Sequence, residues 1–94
     1  MQYLRVTWKN FDVNSPILLY SELDDHRWEK RKVEIFRSGR PGFAGQTDSA
    51  RDTMLGLEPI PALSEIASDP QFEPIEISAA EFERVWAEAT FGSQ

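Results

Sequence analysis

The chain has 94 residues, a formal net charge of −6 and no cysteine. That length is enough for one core-forming domain, residues 1–94, and too short for two. The missing cysteine excludes disulfide staples, thiolate zinc sites and cysteine nucleophiles, and an apolar fraction of 40% suits a packed core rather than disorder.

Residues 2–9 alternate: Leu4, Val6 and Trp8 share one face and Tyr3, Arg5 and Thr7 the other, which predicts a strand with one face on the core. This N-terminus lacks the apolar stretch of a signal peptide. No apolar run approaches the roughly 18 residues of a membrane span, so a cytoplasmic protein with no membrane segment is expected. Residues 10–16, with Asn, Asp, Ser and Pro, read as a loop. Ile17-Leu18-Leu19-Tyr20 is a short apolar run of strand formers.

Glu22-Leu23-Asp24-Asp25 is acidic and turn-like, with Asp24 or Asp25 placed to accept hydrogen bonds from the backbone that follows. Residues 28–36 form the clearest strand. Val33 and Ile35 fall on one face with Arg31 and Arg37 in phase, and Trp28, Lys30, Lys32, Glu34 and Phe36 on the other. Ser38-Gly39 signals a turn needing positive φ. Pro41-Gly42-Phe43-Ala44 returns as a shorter strand, expected at a sheet edge because proline cannot donate to a ladder.

Residues 45–57 are polar and read as a long loop. A short helix is predicted over 62–68, with Leu63 and Ile66 on one face, ended by Asp69-Pro70. Phe72, Ile75 and Ile77 lie in an extended segment. Ser78-Ala79-Ala80-Glu81 is a capping box opening a helix to about Thr90. Its Phe82, Val85, Trp86 and Ala89 fall at i, i+3, i+4 and i+7 and form one apolar stripe. The expected architecture is α+β: an antiparallel sheet of about four strands, a short helix, and the C-terminal helix packed on one face with Trp86 and Phe82 against Leu4, Val6 and Ile35.

Charge is unevenly distributed. Residues 1–40 hold eight Lys/Arg and six Asp/Glu, whereas residues 41–94 hold two and ten. An acidic surface repels nucleic acid and attracts a basic protein, although acidity also serves solubility alone. The triplet Lys30-Arg31-Lys32 does not reverse this, because strand alternation splits it between two faces. His26 is the only histidine. A metal site needs three or four ligands converging in space, so a surface turn histidine is expected and no metal or cofactor is. Gly-Arg-Pro-Gly-Phe-Ala-Gly lacks the Lys-Ser/Thr of a phosphate loop.

Taken together, YLRVTW, PILLYSELDD, RWEKRKVEIFRSGRPGFA, LEPIPALSEIASDPQFEPIEIS and EFERVWAEA resemble a family of small bacterial domains of unknown function, over roughly residues 2–89. The most specific part is YSELDDxRWExRKVEIFxxGxxGFA. Some members look like immunity proteins that occur beside polymorphic toxins of bacterial competition systems. The resemblance implies an immunity-type protein that binds and blocks a basic toxin domain, and it brings no catalytic residues. With the acidic half of the chain, it favours a non-enzymatic binding protein, a monomer or weak dimer. The candidate contacts are Glu22, Asp24, Asp25, Trp28 and Glu29, with Asp48 and Asp52 in the long loop. The alternative is a small enzyme or ligand-binding domain using the acidic segment 22–29.

Overall fold

A computed structural model describes residues 1–45, 49–50 and 53–91. The strands are β1 (Gln2–Trp8), β2 (Leu18–Leu23), β3 (Glu29–Ile35), β4 (Pro41–Ala44), β5 (Ser49–Ala50) and β6 (Phe72–Ile77), with helices α1 (Leu63–Ala67) and α2 (Ala79–Phe91). They form one antiparallel sheet in the order β5-β4-β3-β2-β1-β6. The architecture is α+β. The sheet is wider than the expected four strands because residues 72–77 pair along the whole of β1, from Trp8↔Phe72 to Tyr3↔Ile77, and the two-residue β5 adds to β4.

Strand alternation sorts the side chains into two layers. On one face Tyr20, Val33 and Phe43 meet Phe82, Val85 and Ala89 of α2, the stripe expected from helical spacing. Phe82 is fully buried and its ring lies 5.4 Å from that of Tyr3. Leu4 and Val6 do not meet α2, contrary to expectation. They point to the opposite face, lining a cavity with Ile66 and Phe72, while their in-between neighbours Tyr3 and Arg5 face the helix. The register explains this: Tyr3 opposes Glu22 and Arg5 opposes Tyr20, so the odd residues of β1 share the face of Tyr20.

The turn chemistry follows the sequence. Gly39 adopts φ of 86° between Phe36 and Arg40, whose backbone pair closes the β3–β4 hairpin at 3.0 Å. Pro41 does not lie on an outer strand as expected, because β5 flanks β4. Among the described residues β5 pairs with Phe43 and Ala44, at the other end of β4 from Pro41. Pro74 sits mid-strand in β6, which is an outer strand. Ser78 Oγ caps α2 by accepting from the Glu81 N–H at 3.1 Å, and the Glu81 carboxylate reaches Arg5 Nη1 at 3.4 Å. No helix among the described residues is long and apolar enough to cross a membrane.

Candidate functional site

The acidic segment singled out by the sequence divides among three places, and a β-bulge causes the division. The β2–β3 register shifts between Glu22 and Leu23: Glu22 opposes Arg31, but Leu23 opposes Glu29. One extra residue on β3 reverses the alternation at that point. Glu29 therefore leaves the face of Arg31 and joins that of Lys32, three residues on, with Glu29 Oε1 and Lys32 Nζ 3.4 Å apart.

Glu22 points toward α2. It is only 6% exposed, so it lies beneath the surface on which it was expected as a partner contact. Burial of a carboxylate requires a partner, and Arg31 supplies it in bidentate form: Nε donates to Oε1 at 2.8 Å and Nη2 to Oε2 at 2.7 Å. The same guanidinium holds Glu83 of α2 through Nη1 at 3.0 Å. It also lies 5.0 Å and 5.1 Å from the ring centroids of Phe82 and Trp86. The hydrogen bonds from Arg31 hold the Glu22 and Glu83 carboxyls below the usual carboxylate range. Burial, then the bond to Glu22, pushes the Tyr3 hydroxyl up. This cluster pins the helix to the sheet.

Glu29 points to the opposite face and is also buried, at 7% exposure; it too is no surface contact. Its carboxylate accepts from Ser21 Oγ at 2.8 Å and from the Gly56 backbone N–H at 2.6 Å. A Cβ on residue 56 would stand 3.1 Å from Glu29 Oε1, so glycine permits this close approach. Lys32 Nζ donates to Met54 O at 3.1 Å. Glu29 and Lys32 together tie the segment after β5 to the sheet.

Asp24, Asp25 and Trp28 form the surface that remains. Asp24 Oδ1 accepts from the backbone N–H of His26 at 2.9 Å and of Trp28 at 3.0 Å; the Trp28 bond is the larger cause of its lowered pKa. This is an Asx-type turn, as the sequence suggested for Asp24. Within it Arg27 adopts φ of 67°, a left-handed conformation unusual for a residue other than glycine. Arg27 is held there from outside: Nε donates to Ile60 O at 2.8 Å and Nη2 to Pro61 O at 2.7 Å. Asp25 and His26 project into solvent, and Trp28 is 41% exposed. Asp48 and Asp52 lie outside the described residues.

Behind this turn a cavity of about 470 Å³ opens between the sheet and α1. Leu4, Leu19, Ile60, Ile66 and Phe72 give it apolar walls, Ser21, Glu29 and Lys32 lie at its polar end, and Glu65 and Asp69 stand on α1 and just after it. Sequence reasoning missed this place because the segment 58–61 and α1 must first fold back over β1 and β2. Among the described residues no group of three or more His, Cys, Asp or Glu could hold a metal ion.

A family model, "Domain of unknown function", matches residues 2–91, and the chain belongs to that family, DUF6881. No curated protein and no solved structure matches the chain.

Proposed function

We propose that this member of the DUF6881 family is a non-enzymatic protein-binding domain whose contact surface is the turn carrying Asp24, Asp25 and Trp28. The observation that supports this reading is a half-exposed tryptophan near the exposed Asp25 carboxylate on a turn already locked by Asp24 and Arg27. Tryptophan is enriched among interface residues that carry most of the binding energy, and a prelocked turn loses little entropy on association. The net charge of −6 favours a basic partner and fast encounter with it.

The finer reading is an immunity-type protein that occludes the basic cleft of a cognate bacterial toxin, inside the cell that makes both. It rests on the resemblance of the chain's sequence and on charge complementarity. Co-expression with the product of the adjacent gene tests it: a stable complex and protection of the cells are expected. Trp28→Ala together with Asp25→Lys should weaken the complex at least tenfold, as loss of an interface anchor worth 1.4 kcal/mol or more would do. No complex and no protection would overturn the immunity reading, and a complex untouched by the double variant would move the contact surface elsewhere.

A further inference from the structure

The cavity on the opposite side of the sheet from α2 has no role in that reading. We infer that it is a binding site for a small organic cation, an ammonium group on an aliphatic or aromatic body. Its volume, about 470 Å³, lies within the range of roughly 300–1,000 Å³ typical of small-molecule sites. Its walls are mainly side chains without polar atoms, among them Leu4, Leu19, Ile66 and Phe72. An apolar body is therefore accepted with a gain from burial and no polar group left unpaired.

The sign of the head group follows from the charges around the cavity. Three carboxylates, Glu29, Glu65 and Asp69, face one ammonium, Lys32. Lys32 is already engaged by Glu29 and the Met54 carbonyl, and Glu29 by Ser21 and Gly56. The charges at that end are therefore already matched to each other and to the chain. Glu65 and Asp69 have no salt-bridge partner among the described residues. A ligand lying along the apolar wall would bring a cation to these two carboxylates, whereas an anion of the same shape would meet uncompensated like charge.

Two-dimensional amide NMR on the whole chain, with 4-phenylbutylamine as the probe and 4-phenylbutyrate as its isosteric anion, tests the site. The amine should give saturable shifts at Ser21, Ile66 and Phe72, and the carboxylate should give none. Glu65→Gln combined with Asp69→Asn, both surface changes that leave the core intact, should weaken amine binding about fivefold without moving the rest of the spectrum. Ile66→Trp, which fills the cavity from α1, should abolish the shifts. Equal binding of both probes, or an unchanged affinity in the double variant, would overturn the cation assignment. Absence of saturable shifts at those residues would overturn the site. If Ile66→Trp does not fold, the double variant and the probe pair still decide the matter. No protein partner enters the titration, so its result is independent of the fate of the proposed interface.

Discussion

Arg31 grips Glu22 across the β2–β3 pairing through two hydrogen bonds of 2.8 Å and 2.7 Å, and this bidentate pair lies beneath the aromatic rings of α2. Removing Arg31 leaves a buried carboxylate without its counter-charge. Arg31→Met is expected to cost about 3 kcal/mol, read as a lower urea midpoint. Arg31→Lys should recover only part of it, because an ammonium cannot reproduce the planar fork or its stacking. A lysine variant as stable as the parent would show that charge alone matters here.

The same pair predicts acid sensitivity. Arg31 lowers the folded-state pKa of Glu22, so in the window between the lowered value and the ordinary glutamate value of about 4.3 the unfolded chain binds more protons. The stabilisation is complete above the ordinary value and is lost as pH falls through the lowered one. Glu83 shifts in the same direction, but it is exposed and solvent screening makes its share small. The stability gap between the parent and Glu22→Gln should therefore narrow below about pH 4. Urea denaturation at pH 7, 5 and 3 measures it, and a gap constant over that range would contradict the assignment.

Arg27 combines a strained backbone with a stabilising side chain, and the two separate by substitution. Arg27→Ala keeps φ of 67° and loses the bonds to the Ile60 and Pro61 carbonyls. Arg27→Gly loses those bonds but relieves the strain, so it should be the more stable variant by about 1 kcal/mol. In both, hydrogen exchange of the Ile60 amide, which donates to Arg27 O at 2.8 Å, should accelerate. Unchanged exchange would mean that the segment is held by Glu29 and Lys32 alone.

Gly39 isolates a backbone effect. A Cβ there would meet no atom within 4 Å, so the cost of Gly39→Ala comes only from φ of 86°, about 1 kcal/mol. Gly39→Asn should cost less, since asparagine tolerates this conformation better. Thermal unfolding of the two variants checks the order, and equal melting temperatures would contradict it.

Local patterns were legible wherever the physics is local. The alternation of residues 2–8 and 31–35, the Ser38-Gly39 turn and the Ser78 cap each depend on neighbours within a few positions, and each appears in the structure. The four-residue spacing of Phe82 and Trp86 likewise announced the buried face of α2. The Asp24 turn was legible for the same reason, because its carboxylate accepts from the backbone of His26 and Trp28, two and four residues on.

Other features were decided by pairing between distant segments. Periodicity alone gave Glu29 the face of Arg31 and left Glu22 in a solvated turn. The bulge opposite Leu23 sends the two glutamates to opposite sides of the sheet, each to a partner brought by a different part of the chain. Likewise nothing local in residues 72–77 names β1 as their neighbour or makes a wall of Ile66 and Phe72 opposite Leu4. The sequence by itself determined most of the elements, the acidic balance and the turn at Asp24. Only the tertiary structure decided which carboxylates are buried and where the cavity lies, because a register shift of one residue reverses every side chain beyond it without altering the local pattern.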